Sequence, residues 1–164
     1  TLKAAKGASG VYDLTLTNAK EIVTIAALGE DSGATIKSFA TGADKIDLAT
    51  IGSSLKAAQV TAVNAITEKS GGTTLDTTKV TVITSDNNTV VKDKITISDG
   101  NNTKLLSKTV TKDIDYLIAV KASDSSKTAI YHAKSTNDTT LASDEIKLVA
   151  TVEADLTADT SWLA

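Results

Sequence analysis

Short runs of apolar and β-branched residues, separated by polar or glycine turns, recur along most of the chain. In the first clear run, Val11–Thr17, the side chains of Tyr12, Leu14 and Leu16 fall on one face of an extended backbone and polar residues dominate the other. This alternation predicts a half-buried strand. Enrichment in Val, Ile, Thr and Tyr predicts further strands at Glu21–Leu28, Ala34–Phe39, Lys45–Leu48, Lys79–Thr84, Asp93–Ser98, Lys104–Val110, Tyr116–Lys121, Thr128–Ala133 and Glu145–Thr151.

Turn-forming clusters of Ser, Asp and Asn separate the predicted strands in the second half of the chain. They lie at residues 85–88, 98–102, 123–126 and 135–138. Regular short strands joined by polar turns are typical of antiparallel sandwiches and meanders. We therefore predict a mainly β fold, an antiparallel β-sandwich or β-roll-derived meander with at most one or two short helices.

The stretch Ser53–Lys69 has a different pattern. Its apolar residues recur at spacings of three and four, a serine can cap its start and a glycine pair follows it. This spacing predicts a helix. Val and Thr lower the helix propensity of the stretch, so a pair of strands through the same residues is the alternative.

Composition narrows the classes of protein to which the chain can belong. Its 164 residues suit one domain, and the 3% share of aromatic residues means that Val, Ile, Leu and Ala must fill the core. The 17 basic residues are all lysine and the net charge is −3, which argues against nucleic-acid binding. No apolar run approaches the roughly 20 residues of a membrane span. The joint absence of Cys and Met, with abundant Thr and Ala, suits an exported bacterial surface protein.

Catalytic motifs are absent from the sequence. The chain has no cysteine nucleophile, no Gly-x-Ser-x-Gly elbow, no His-Glu-x-x-His and no P-loop. The only histidine, His132, lies in a predicted strand, where we expect a surface or turn-proximal residue. Paired acids are interpreted as solvated turn residues, at Asp44 with Asp47, Asp113 with Asp115, and Asp144 with Glu145. We therefore predict that the chain is not an enzyme.

One phrase, ATIKSFATGADKIDLATI at Ala34–Ile51, is more specific. It resembles the I-x-D-F-x-x-G-x-D-K-I-D-L-S-x-I pattern that follows the calcium-binding glycine repeats of RTX proteins, which bacteria export by type I secretion. The matching residues are Ile36, Phe39, Gly42, Asp44, Lys45, Ile46, Asp47, Leu48 and Ile51. Upstream, Gly7–Leu16 is similar to a worn G-G-x-G-x-D repeat that keeps Gly7, Gly10 and Asp13. Tyr116–Ala164 resembles the closing segment of many such proteins.

The departures from the family pattern limit how much calcium we expect. Ser38 replaces the usual acidic residue before Phe39, and consecutive glycine nonapeptides are missing. A stack of calcium sites is therefore not expected. What the resemblance still implies is one residual calcium site, with Asp13, Asp44 and Asp47 as its candidate ligands.

The resemblance also implies an organisation and a function. Residues 1–52 would be a degenerate RTX-like β segment, and residues 53–164 a β-rich region with an uncleaved export signal, together one compact domain. The chain would be the structural, noncatalytic C-terminal domain of a secreted bacterial cell-surface or surface-layer protein. Its partners would be the type I secretion machinery during export and, at the surface, further copies or other surface components. An adhesin module for a glycan or protein, or the noncatalytic tail of a secreted enzyme, are the alternatives.

Overall fold

The structure of the chain is a computed structural model that describes residues 2–4, 13–17, 19–25, 34–67, 74–84, 89–91, 94–96, 109–121, 127–136, 141 and 143–164. These ranges contain twelve strands and one 3-10 turn at Ser143–Glu145, so the prediction of a mainly β fold is confirmed. The strands are β1 (Leu2–Ala4), β2 (Asp13–Thr15), β3 (Ile22–Ile25), β4 (Ala34–Lys37), β5 (Lys45–Asp47), β6 (Ala62–Thr67), β7 (Lys79–Thr84), β8 (Thr89–Val91), β9 (Lys94–Thr96), β10 (Tyr116–Lys121), β11 (Thr128–Ala133) and β12 (Ile146–Val152).

Several of the sequence predictions concern residues that lie outside the described ranges. The predicted strand Lys104–Val110 lies outside the described residues except for its last two positions. The predicted turns at 85–88, 98–102 and 123–126 lie outside them as well, as do Gly7 and Gly10 of the repeat-like unit and half of the turn at 135–138.

The first five strands alternate between two sheets. β1, β3 and β5 form a three-stranded parallel sheet, whereas β2 and β4 lie side by side, also parallel, in a seven-stranded sheet. Leu2 pairs with Val23 and Val23 pairs with Ile46, so neighbouring strands of the small sheet are 21 and 23 residues apart in sequence. Each round of the chain therefore contributes one strand to each sheet. We call such a round a coil; stacked coils of this kind form a β-roll.

The seven-stranded sheet has the order β2-β4-β12-β11-β10-β7-β6. β11 is antiparallel to both of its neighbours, β10 and β12, as expected for strands that the predicted turns at 123–126 and 135–138 separate, and β8 and β9 form a separate antiparallel pair. The other pairs are parallel. Parallel pairing arises because strands that are adjacent in the sheet are joined by a crossover and not by a tight hairpin.

The end of the chain continues the stack of coils. β12 adds to the seven-stranded sheet beside β4, with Ala150 paired to Ala34. Leu163 then forms a parallel bridge with Ile46 of β5, at the edge of the three-stranded sheet. Residues 48–145, including β6–β11, are therefore an insertion between two elements of one β-roll. We call the part of the seven-stranded sheet formed by β6, β7, β10 and β11 the inserted sheet. We call Leu156–Ala164 the C-terminal segment.

Apolar side chains cover both faces of the seven-stranded sheet. A first cluster joins this sheet to the three-stranded sheet and includes Ile46, Leu117 and Trp162. A second cluster on the opposite face includes Ile118 and Tyr131. Because neighbouring residues of β10 enter different clusters, the strand is buried on both sides, which explains its continuous apolar sequence.

A β-bulge shifts the register of β12. Ile130 pairs with Ala150, but Tyr131 pairs with Leu148, so Val149 is an extra residue. Both Val149 and Ala150 enter the first cluster as a result, whereas Leu148 packs against the second. The bulge thus transfers the inward face of β12 from one apolar cluster to the other.

The helix predicted at Ser53–Lys69 is wrong over its described part. Residues 53–59 form turns and Ala62–Thr67 is β6, which pairs with β7 in parallel register. Leu55 is buried in the first cluster and Val63 packs against it, but Ala58 between them is exposed, so the apolar spacing does not mark one buried face. Among the residues with described positions, no helix is long and apolar enough to cross a membrane.

Candidate functional site

The phrase at Ala34–Ile51 folds into β4, a turn and β5. Phe39, Ile46 and Leu48 are buried in the first cluster, and Ile51 packs against it. Gly42 occupies the turn with a φ of 82°, a left-handed conformation that favours glycine. The phrase therefore contributes buried apolar residues to the core and one turn whose conformation favours glycine.

Asp44 is a buried carboxylate immediately before β5. Its side chain has no exposed surface. One carboxylate oxygen accepts a hydrogen bond from the backbone N–H of Ala40 at 2.8 Å, and the other accepts one from the N–H of Glu21 at 3.0 Å. These donors replace the hydration that the charged group loses on burial. Asp44 thus ties its own turn to the residue that precedes β3.

Asp47 lies on the other face of β5. Asp44, Ile46 and Leu48 are buried, whereas Lys45 and Asp47 between them are only half-buried. The Asp47 carboxylate accepts the N–H of Ala49 at 3.0 Å and lies 3.5 Å from the Thr24 hydroxyl. The two aspartates of the phrase therefore do not converge on one point.

The described geometry does not fit a calcium site shared by the three predicted ligands. Asp13 begins β2, where its backbone pairs with Thr35, and its side chain lies outside the described residues. Asp44 already accepts two N–H groups, and Asp47 faces away from it. Within the described ranges no group of three or more His, Cys, Asp or Glu side chains could hold a metal ion. Calcium binding stays a prediction from the sequence.

The same strand, β5, holds the end of the chain. The N–H of Ile46 donates to the Trp162 carbonyl at 2.7 Å, and the N–H of Ala164 donates to the Ile46 carbonyl at 3.0 Å. The Lys45 ammonium donates to the carbonyl of Ser161. From the turn after β5, the N–H of Ala57 reaches the Ala164 carbonyl at 3.1 Å. The two stretches that resemble one family are therefore in direct contact.

Trp162 anchors the C-terminal segment. Its indole is 1% exposed, and Leu156 and Leu163 are buried beside it in the first cluster. The indole N–H lies 3.0 Å from the carbonyls of both Leu156 and Asp159, so it closes the segment into a hook. The hook is therefore both internally bonded and packed into the core.

Hydrogen bonds hold two acids of this region in the charged form. The Ser161 hydroxyl and backbone N–H lower the pKa of Asp159. Partial burial opposes ionisation of Asp155, but hydrogen bonds from Lys121 and Thr157 outweigh it and lower the pKa. Lys121 lies in β10, so this ion pair also connects the start of the C-terminal segment to the inserted sheet.

A cluster of polar side chains lies at the open end of the β10–β11 hairpin, beside Gly52. His132 Nε2 is 2.8 Å from an oxygen of Asp115, and the Lys134 ammonium is 3.5 Å from the same oxygen. His132 is 8% exposed, so the expectation of a surface histidine is wrong: β11 is buried along its whole length. A histidine beside a carboxylate is held in one orientation.

Gly52 packs against the acid of this cluster. A Cβ at position 52 would lie 2.9 Å from the Asp115 carboxyl carbon, closer than real Cβ atoms come to other atoms, and 3.0 Å from Leu55 Cγ, a tight contact. The residue that follows the phrase is therefore a glycine, because a carboxylate occupies the space of its side chain.

Sequence reasoning missed Asp115 and Lys134 as partners of His132. Tyr116 pairs with Ala133 and Leu117 with His132 in the β10–β11 hairpin. The same register places the residue before β10 opposite the one after β11. These two residues are Asp115 and Lys134. Their opposite charges were the only signal in the sequence that they pair, and it can be recognised only when the register of the hairpin is known.

Comparison with protein-family models, with curated proteins and with solved structures finds no match to this chain.

Proposed function

We propose that this chain is the noncatalytic C-terminal part of an RTX-like bacterial protein that is exported by type I secretion and acts at the cell surface, as a surface-layer component or an adhesin. In this proposal the C-terminal segment belongs to the export signal. The β-roll and the inserted sheet form the folded structure outside the cell, where further copies or other surface components would be the partners.

The observation that carries the proposal is the path of the first five strands. They alternate between two parallel sheets with partners about one coil apart, which is the arrangement expected of a β-roll. The coils lie where the sequence resembles a worn glycine repeat and the phrase that follows such repeats. The part of the chain that resembles these repeats is therefore also the part whose strands follow the path of a β-roll.

The contact between the phrase and the end of the chain gives further support. Ile46 and Leu163 are bridge partners although they belong to opposite ends of the sequence. The two stretches that resemble the same family thus pack together in one fold. His132 and Asp115 are assigned a structural role, since they join the inserted sheet to the Gly52 turn.

Secretion of the full-length protein tests the proposal. Deleting Leu156–Ala164 should leave the protein inside the cell, measured as its distribution between cells and medium. Secretion at the normal level would contradict the type I route.

The deletion also removes core residues, so a matched control is needed. Ile130→Ala opens a cavity in the first cluster without changing the C-terminal segment. A chain that crosses the membrane unfolded should be exported normally with this substitution. If Ile130→Ala stops secretion as completely as the deletion, the effect is one of folding and the proposed export signal is not supported.

A further inference from the structure

We infer that the β5 edge acts as an intramolecular dock that withdraws the C-terminal segment from other partners once the chain has folded. The inference rests on the proposed function, because it concerns the segment that the export machinery would bind. It adds a regulatory contact: the phrase at Ala34–Ile51 would compete with that machinery for the same residues.

Burial of the segment is the first support. Its three large apolar side chains, Leu156, Trp162 and Leu163, are each at most 2% exposed in the folded chain. A partner that recognises an apolar segment needs these side chains, since the other residues of the segment are small or polar. In the folded chain they are inaccessible to such a partner.

The main chain of the segment is occupied as well. Ile46 donates to one carbonyl of the segment and accepts from one of its N–H groups, and Lys45 and Ala57 each bind a further carbonyl. A partner that binds an extended peptide by adding it to a sheet edge would need the same groups. Docking on β5 and binding of that kind therefore exclude each other.

The contact between β5 and the C-terminal segment forms late in folding, because the two lie far apart in the sequence. Lys45 and the carbonyl of Ser161 that it binds are 116 residues apart. The dock is synthesised before the segment, and contacts between distant residues form slowly during folding. The newly synthesised segment thus has a period in which it is free before it docks.

Trp162 allows docking to be measured directly, because it is the only tryptophan. In the isolated chain its fluorescence should be blue-shifted and poorly quenched by acrylamide. Lys45→Ala removes the ammonium that binds the Ser161 carbonyl without changing the segment, and we expect quenching to rise. Loss of one ordinary hydrogen bond corresponds to an undocked population about fivefold larger. Lys20→Ala, an exposed lysine before β3, is the control and should change nothing. If Lys45→Ala does not increase quenching, the inference is overturned.

Delayed export tests the consequence. The full-length protein is synthesised first and the source bacterium's type I transporter is induced afterwards. Wild-type protein should lose export competence as the delay increases, and Lys45→Ala should retain it longer. If quenching rises but the loss of competence is as fast as in wild type, docking does not control export and the inference fails. If deletion of Leu156–Ala164 leaves export intact in the same cells, the proposed function fails instead.

Discussion

Gly52 and Asp115 approach each other more closely than any side chain at position 52 would allow. The contact joins the residue after the phrase at Ala34–Ile51 to the residue before β10. A methyl group there must displace the Asp115 carboxylate, which also pairs with His132 and Lys134. We expect Gly52→Ala to lower the free energy of unfolding by about 1 to 3 kcal/mol, the usual cost of overpacking. Urea denaturation measures it.

Gly42→Ala is the matched control. Nothing lies within 4 Å of a Cβ at position 42, but its φ of 82° is unfavourable for alanine. Its cost of about 1 kcal/mol should therefore come from the backbone alone. Adding Asp115→Ala should recover part of the loss in Gly52→Ala and none in Gly42→Ala. Equal behaviour of both glycines would show that the contact with Asp115 is unimportant.

Asp44→Ala should be one of the most destabilising substitutions in the β-roll. It leaves the N–H groups of Ala40 and Glu21 without their acceptor in a buried site. We expect a loss of about 2 to 4 kcal/mol in thermal or urea unfolding, from two unsatisfied donors. Asp47→Ala, which removes the acceptor of the Ala49 N–H at a half-buried position, should cost about 1 kcal/mol or less.

The loss of stability in Asp44→Ala should also be compared between calcium and chelator. If its role is to accept backbone N–H groups, Asp44→Ala should lose the same stability in calcium and in chelator. A larger loss in calcium would place an ion at this carboxylate and restore the prediction drawn from the sequence resemblance.

Acid should destabilise the fold through its turn aspartates. Hydrogen bonds from the Thr78 hydroxyl and N–H and from Lys79 lower the pKa of Asp76 from 3.8 to about 2. The stability contributed by this carboxylate is complete above about pH 4 and is lost as the pH falls toward 2, because only the folded state favours the charged form. Asp155 and Asp159, whose pKa values are also lowered, act in the same direction.

Melting temperatures between pH 2 and 6 test this assignment. Asp76→Asn should reduce the melting temperature at pH 6 and flatten its decline in acid. A decline as steep as that of the wild type would mean that Asp76 is not among the groups responsible.

His132→Gln distinguishes a structural from a catalytic histidine. The pair with Asp115 lies at the contact between the inserted sheet and the Gly52 turn, so its loss should lower the free energy of unfolding by about 1 to 2 kcal/mol. Secretion of the full-length protein should be unchanged. Loss of a surface activity without loss of stability would contradict the structural assignment.

Local pattern predicted where most strands lie but not how they pair. The alternation in Val11–Thr17 and the apolar run Tyr116–Lys121 each mark a strand that is present. Pairing depends on contacts about one coil apart, or across the whole insertion as for β4 with β12. Nothing in the local sequence of either strand specifies the other. The failure at Ser53–Lys69 has the same origin, since pairing of β6 with β7 overrides the local spacing.

The candidate site could be predicted by position but not by partner. Asp44 was interpreted as a solvated turn acid or a calcium ligand, yet it is buried and its partners are the backbone N–H groups of Ala40 and Glu21, which no motif records. The pairing of His132 with Asp115 required the register of a hairpin. Side chains that act through contacts distant in sequence can be found only once the fold is known.

β12 belongs both to the stack of coils and to the antiparallel part of the seven-stranded sheet. Coils that touch only their neighbours melt stepwise, as a series of weakly coupled units. Here β12 is bonded to β4 on one side and to β11 on the other, so the last coil and the antiparallel sheet cannot separate without breaking a common strand. Thermal unfolding of the described sheets should therefore be cooperative, with a calorimetric enthalpy equal to the van't Hoff enthalpy.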